Sequence, residues 1–306
     1  MESQTTSDVL VIRPAAFASN PQTAASNRFQ TKPSEAADAA SALREFDGAV
    51  KALDDAGIRV HVVADTLEPH TPDSLFPNNW FSTHADGTVV IYPMLALNRR
   101  LERRMDVFER LSRDEGFYVR GIIDLTAHEA RERFLEGTGS LVLDRPHCIA
   151  YACLSPRTDM DVLGEFAQRL DYDLVAFDAR DAERTPVYHT NVVMTVGGKW
   201  AAVCLEAIAT HEQKAVLEQL MASGREVISL TLPQMHSFAG NMLELRSNTG
   251  VPVTALSSTA LQALTKEQRR TLEAHAQLLP VSIPTIERVG GGSIRCMLAE
   301  IFLPRK

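Results

Sequence analysis

The chain has 306 residues, 45% of them hydrophobic and 23% charged, and a formal net charge of −8. That is the balance of a soluble globular protein, long enough for one large domain or two smaller ones. It argues against a nucleic-acid partner, which needs a positive face, and no apolar run approaches the roughly 18 residues of a membrane span. The polar, acidic start from Met1 to Asp8 lacks the positive and apolar regions of a secretory leader, so a cytoplasmic location is expected. The four cysteines, Cys148, Cys153, Cys204 and Cys296, form no Cys-x-x-Cys pair, which speaks against a zinc site and structural disulfides. Three sit in apolar runs and read as small buried hydrophobes. Cys296 differs, because Gly290, Gly291 and Gly292 come shortly before it.

Taken in chain order, the elements repeat. A strand-like run from Val9 to Arg13 leads into a Pro/Ser/Thr/Asn-rich stretch, 14–34, that reads as a loop over a binding site. Ala40, Leu43, Phe46, Val50 and Leu53 then recur at three- and four-residue steps. They predict an amphipathic helix over 35–56, ended by Gly57 and followed by a strand at Ile58–Val63. Hairpins are predicted at Trp80 to Met94, Ser140 to Cys153, Asn191 to Leu205 and Asn241 to Leu256. Helical patterns at 98–115, 158–170, 209–223 and 258–277 follow them. After the helices come strands at Phe117–Ile123, Leu174–Phe177, Glu226–Leu230 and Leu279–Ile283. A fifth hairpin would start at Ser293 and pair with Val9 to Arg13. Hairpin starts about 50 to 60 residues apart suit one supersecondary unit per repeat. Five units of strand, strand, helix and strand, joined at the ends, would close a ring of short sheets that protect their own edges. The alternative is an open α/β sheet with hairpin insertions. No linker divides the chain, so 1–306 is expected to form a single domain.

The reactive residues fall at equivalent places. Glu136, His189 and Cys296 each stand at the start of a hairpin, in the second, third and fifth units, and Asn79 and Asn241 hold like places in the first and fourth. In a ring of equivalent units, such positions converge near the axis. A cysteine attacks as thiolate, a histidine takes its proton or passes one to a leaving amine, and a carboxylate holds the imidazole or the substrate. The triglycine would let backbone approach a substrate and expose N–H groups. Read singly, a flexible loop before Cys296 and a structural role for His189 stay open.

Five motifs spread over almost the whole chain resemble those of the amidinotransferase, arginine deiminase and dimethylarginine dimethylaminohydrolase superfamily. Gly-Gly-Gly-Ser-Ile-Arg-Cys296 resembles its glycine-rich nucleophile motif, Leu-Glu136-Gly-Thr-Gly its Glu-Gly-Gly-Asp segment, and His189-Thr-Asn191 its His-Leu-Asp motif. Ser155-Pro-Arg157-Thr158 is similar to its Ser-x-Arg-Thr motif. Pro77-Asn78-Asn79-Trp80-Phe81-Ser-Thr-His84 is similar to its Pro-Asn-x-x-Phe-x-Arg-Asp segment. The resemblance implies a five-bladed α/β propeller (pentein) of ββαβ repeats, a substrate shaped like arginine, and no metal or organic cofactor. By carry-over, Asn78 and Arg157 would bind the α-amino-acid end, with Arg99 as a second carboxylate ligand. An arginine suits that task because its planar fork donates two hydrogen bonds to a carboxylate.

Two positions depart from the superfamily's pattern. The deiminases have aspartates where this chain has His84 and Asn191, and those aspartates grip a guanidinium, which offers only donors. Without them Glu136 stands alone against a buried cation, a costly arrangement. Asparagine and neutral histidine offer both donor and acceptor, which suits a neutral ureido group. Citrulline is therefore the expected substrate, and Phe-Pro-Asn-Asn-Trp-Phe-Ser-Thr-His also resembles the citrulline utilisation hydrolase branch. The expected reaction is attack of Cys296 on the ureido carbon, departure of ammonia protonated by His189, and hydrolysis of an S-carbamoyl intermediate to carbon dioxide and ornithine. Two other readings stay open. One is a deiminase or methylarginine hydrolase, which needs a further carboxylate, Asp73 or Glu206; the other is a non-catalytic amino-acid-binding protein. A homo-oligomer is compatible with the sequence. In the N-terminal loop, Arg13, Phe17, Asn20 and Asn27 are candidates to close over the substrate. Asn241 could instead serve a turn, and strand alternation points Arg295 away from the nucleophile.

Overall fold

The computed structural model describes residues 3–30 and 38–306. Its described residues form five three-stranded sheets of one pattern. The first has β1 (Asp8–Arg13) between β15 (Ala299–Glu300) and β2 (Arg59–Ala64). The second comprises β3 (Phe81–Thr83), β4 (Thr88–Ile91) and β5 (Gly121–Asp124), and the third β6 (Val142–Asp144), β7 (Ile149–Leu154) and β8 (Asp173–Asp178). The fourth holds β9 (Met194–Val196), β10 (Trp200–Val203) and β11 (Glu226–Ser229); the fifth holds β12 (Leu243–Arg246), β13 (Pro252–Ser257) and β14 (Gln277–Val281). In every sheet the middle strand runs antiparallel to one neighbour and parallel to the other. A tight turn can join antiparallel strands, whereas the parallel pair needs a crossover, which helices supply. The expected hairpins are all present. The run after Ser293 does pair with the N-terminal strand, Val9 opposite Glu300 and Leu10 opposite Ala299.

Helix Asp38–Asp55 buries Ala42, Phe46, Ala49 and Leu53, spaced at three to four residues, against apolar side chains of the first sheet and of the segment that carries Cys296. Gly57, at φ +79°, ends it in the left-handed region. Positions 35–37 of the expected helix, and 31–34 of the expected loop, lie outside the described residues. Two expected helices break. The span 98–115 divides into a 3-10 turn, Asn98–Glu102, and a helix, Asp106–Asp114. The tighter turn stacks residues three apart, and Arg99 and Glu102 use that to form a buried ion pair. The span 258–277 divides into Ser258–Ala263 and Lys266–His275, because Thr265 starts the second helix with a capping box to Gln268. Among the described residues no helix is long and apolar enough to cross a membrane.

Neighbouring sheets are fastened by their inner strands, β15 beside β3, β6 beside β9 and β9 beside β12. A buried clamp adds to the third and fourth. Arg225 donates from Nη2 to Asp144 at 2.9 Å and from Nε to the Gly197 carbonyl at 2.7 Å, in the β9–β10 turn. Removing one partner of such a pair leaves a charge buried without compensation. Asp144→Ala is therefore expected to lose about 3–5 kcal/mol of stability, read as a lowered urea midpoint with an unchanged m-value.

Candidate active site

Short turns carry the reactive residues. Pro77–Asn79 leads into β3, Gly137–Ser140 into β6, Thr190–Val193 into β9 and Ile294–Met297 into β15. The Gly137–Ser140 turn packs on both Pro77–Asn79 and Thr190–Val193, while Ile294–Met297 packs on Pro77–Asn79. The approach is backbone to backbone. A Cβ on Gly137, whose φ is +47°, would lie 2.3 Å from the Asn78 carbonyl oxygen, so a side chain there would force the turns apart.

The turns border a small cavity lined by Asn79, Arg99, Arg157, Tyr188, His189 and Cys296, among others. Glu136 lies fully buried behind it. Its Oε2 stands 2.9 Å from His189 Nε2, 3.3 Å from Arg157 Nη1 and 3.9 Å from Arg99 Nη1. Burial alone would raise the pKa of Glu136, but Arg157, the bond to His189 and Arg99 outweigh it and hold the carboxyl well below the usual range. Burial pushes His189 down to about 4, against the opposing pull of Glu136. The imidazole is thus neutral at pH 7. A carboxylate only accepts, so Nε2 carries the hydrogen and Nδ1 is left as the basic atom. Cys296, 4% exposed, has the Nδ2 atoms of Asn241 and Asn191 at 3.4 and 3.5 Å from its sulfur.

The two arginines are heavily committed. Arg99 forks Glu102 with two bonds of 2.9 Å and donates to Asn79 Oδ1 at 2.7 Å. Glu102 escaped the sequence reading, although its three-residue spacing from Arg99 was the available signal. Arg157 donates to Ser26 Oγ at 2.7 Å and to the Thr23 carbonyl at 3.3 Å, so the N-terminal segment closes over it. That segment also places Asn20 on Asp73 at 2.8 Å, and Asn27 and Gln30 on the carbonyls of Gly291 and Gly290 at 3.1 and 3.2 Å. Tyr188, likewise missed, donates to the Gly291 carbonyl at 2.7 Å. The triglycine thus presents carbonyls where N–H groups were expected, and the Gly291 N–H is spent on the Glu287 carbonyl at 2.9 Å. Phe17 packs on Gly290, but Arg13 is turned outward and paired with Asp47.

Several expected ligands stand elsewhere. His84 does not line the cavity. Three strand residues separate it from the Asn79–Trp80 turn, and at about 3.3 Å per residue they carry it to the far end of the hairpin. There its Nε2 lies 3.0 Å from Ser82 Oγ, and burial pushes its pKa to about 3. Asn78 is also off the cavity wall; its Oδ1 accepts from Asn79 Nδ2 at 3.0 Å, and Asn79 takes the lining position. Glu206 lines a different cavity, whereas Asp73 lines this one with a buried Oδ1 that has no partner. Arg295 does face away, toward Glu300, but it lies in the Ile294–Met297 turn and not in a strand, so strand alternation is not the cause. Among the described residues, no group of three or more His, Cys, Asp or Glu could hold a metal ion.

A comparison with protein families matches residues 13–303 to N,N dimethylarginine dimethylhydrolase, eukaryotic. The chain belongs to this family. It is accordingly a hydrolase acting on carbon–nitrogen bonds, within the guanidine-modifying pentein superfamily. Solved structures share its α/β fold. The N-terminal domain of ArgZ, an arginine dihydrolase from cyanobacteria seen as a cysteine-to-serine mutant bound to substrate, is 15% identical over 97% of this chain and 99% of its own, with a TM-score of 0.74. AgrE, as a mutant bound to L-arginine, is 16% identical with a TM-score of 0.76; the match covers 98% of this chain and 40% of AgrE. DDAH from Pseudomonas aeruginosa, complexed with citrulline, is 11% identical over 97% of this chain and 99% of its own, with a TM-score of 0.67. No curated protein matches. For this member of the dimethylhydrolase family, histidine NMR should show the His189 ring neutral down to about pH 4. A His189 signal titrating near 6.5, the ordinary value, would show that burial does not outweigh the pull of Glu136.

Proposed function

We propose that the chain hydrolyses the ureido group of citrulline to ornithine, ammonia and carbon dioxide, as a citrulline hydrolase branch of its superfamily. The observation that carries this reading is the polarity around the nucleophile. The side chains that reach Cys296 Sγ are the amides of Asn191 and Asn241, and Asn79 supplies a third amide on the cavity wall. Glu136 is held by His189 and Arg157, and Glu102 by Arg99. The carboxylate with a free oxygen is Asp73, and its other oxygen lies 3.8 Å from Arg99 Nε. An acceptor beside an arginine suits the ammonium and carboxylate of a free amino acid, which leaves the amides for an uncharged head group.

In this mechanism the neutral His189 takes the thiol proton as Cys296 bonds to the ureido carbon, and gives it to the departing nitrogen. Glu136 fixes the ring and its tautomer. Water, deprotonated by the same Nδ1, then cleaves the thioester-like S-carbamoyl bond, and the carbamate so released loses carbon dioxide to leave ornithine. Closure of Thr23, Ser26 and Asn27 over the cavity keeps other water out. Five sheets of one pattern, with both chain ends in one of them, support a five-bladed α/β propeller forming one catalytic domain over 1–306. A second reading, hydrolysis of a guanidino group, is favoured by the same free oxygen of Asp73, which could meet a cation instead.

Ammonia release from citrulline and from arginine, with dimethylamine release from asymmetric dimethylarginine, decides between them. Turnover of citrulline alone, with ornithine as product and its loss in Cys296→Ala, is the expected result. Turnover of arginine or its dimethyl form in place of citrulline moves the assignment to the second reading, and an active Cys296→Ala protein sinks the nucleophile.

A further inference from the structure

Two buried amides from neighbouring units meet at the nucleophile. Asn191 and Asn241 are both 0% exposed. The residues beside them are in backbone contact, since a Cβ on Gly240 would lie 2.2 Å from the Val192 carbonyl oxygen. Asn241 Nδ2 spends one hydrogen on the Asn191 carbonyl at 3.0 Å and directs the other at Cys296 Sγ, 3.4 Å away. The bond to a carbonyl fixes which end of this amide is nitrogen, because a carbonyl only accepts. Asn191 Nδ2 reaches the same sulfur at 3.5 Å. Asn241 Oδ1, at 3.7 Å, is placed to take a hydrogen bond from the thiol before reaction. Part of the triglycine backbone is already engaged: the Gly290 and Gly291 carbonyls accept from Gln30, Asn27 and Tyr188, and the Gly291 N–H donates to the Glu287 carbonyl.

We propose that Asn191 and Asn241 are catalytic residues that together cradle the oxyanion of the tetrahedral adduct. The proposal rests on the ureido reading, because only a substrate with a carbonyl develops an oxyanion as the sulfur attacks. As Sγ bonds to the ureido carbon, the carbonyl π pair moves onto oxygen and the thiol proton passes to His189. On collapse the pair returns, the carbon–nitrogen bond breaks, and the nitrogen leaves with that proton as ammonia. The new oxyanion hangs on the carbon bonded to Sγ, so donors already aimed at the sulfur reach it with a small shift. Donors held in place before reaction, in a site closed to water, are worth far more than in solution.

The test compares Asn241→Ala, Asn241→Asp and Asn191→Ala with the wild type on citrulline and on its thio analogue, in which sulfur replaces the ureido oxygen and accepts hydrogen bonds poorly. Melting curves establish that each variant is folded. Asn241→Asp keeps the shape while exchanging donor for acceptor, so it decides the matter if Asn241→Ala does not fold. Each folded variant should lose about 10²-fold in kcat on citrulline with KM little changed, and the preference for citrulline over the thio analogue should shrink. A folded Asn241→Asp enzyme with wild-type kcat overturns the proposal, as does equal loss on both substrates. A wild-type enzyme inactive on citrulline overturns the ureido reading and the cradle together; an active one with insensitive variants overturns the cradle alone.

Discussion

The site depends on backbone contact between turns that lie far apart in sequence. Glu136 and His189 are 53 residues apart, yet their side chains stand at 2.9 Å because the turns before β6 and β9 pack directly on one another. Contact that close leaves no room for side chains where the backbones cross, so glycine is needed at 137 and 240. The pairing of β1 with β15 adds the last member. It seats the C-terminal strand in the first sheet, and the turn that precedes it, Ile294–Met297, brings Cys296 against Pro77–Asn79. Fold and chemistry are therefore one constraint. Each hairpin must close in register for its preceding turn to point inward, and one misplaced turn would separate Cys296, His189 and Glu136.

Such closeness gathers charge that would be untenable singly. Glu102, Glu136, Asp73, Arg99 and Arg157 share one small buried region. A buried ion pair holds only if geometry and further hydrogen bonds replace what water supplied. Here they do so as a set. Arg99 answers Glu102 by a fork, Arg157 answers Glu136, and Leu95 donates its N–H to the remaining oxygen of Glu136. The same field keeps His189 neutral. Burial disfavours the imidazolium more than Glu136 favours it, so the ring rests uncharged. Ser26 and Thr23 meanwhile occupy Arg157 in the closed arrangement. A substrate carboxylate bound there would exchange one set of oxygen acceptors for another, which ties substrate binding to the N-terminal segment.

Much of this was legible in the sequence, and the exceptions have physical causes. Alternating apolar runs and turn residues marked every hairpin, because strand period and turn chemistry are local. The equivalent placement of Asn79, Glu136, His189, Asn241 and Cys296 before the hairpins was also local, and the structure places them around a common centre. What failed was whatever depended on how each segment packs. His84 belongs to a motif that reads as one segment, yet a strand separates it from the turn. The helix drawn over 98–115 breaks where Arg99 turns inward to a buried partner, which periodicity cannot report. The triglycine looked like a source of N–H groups until the N-terminal segment, some 260 residues away, was found to bind its carbonyls. Asn78 and Asn79 differ by one residue, and only the packing of the turn decides which of them lines the cavity.

The charge argument for a neutral head group changes in form when His84 leaves the site. It then rests on Asn191, on Asn79, and on the position of Asp73. Asn79 cannot easily be read as a lost counter-charge, because its Oδ1 already accepts from Arg99 and its Nδ2 donates to Asn78. An aspartate at 79 would meet the Arg99 guanidinium at once and be largely neutralised by it. Asn191 is the sharper case. Its Nδ2 faces the Cys296 sulfur while its Oδ1 is buried without a partner, so this one side chain brings a donor and an unmet acceptor to the site. A guanidinium could satisfy the acceptor but would leave the donor facing donors. A ureido group, with an oxygen and N–H groups on the same carbon, can satisfy both.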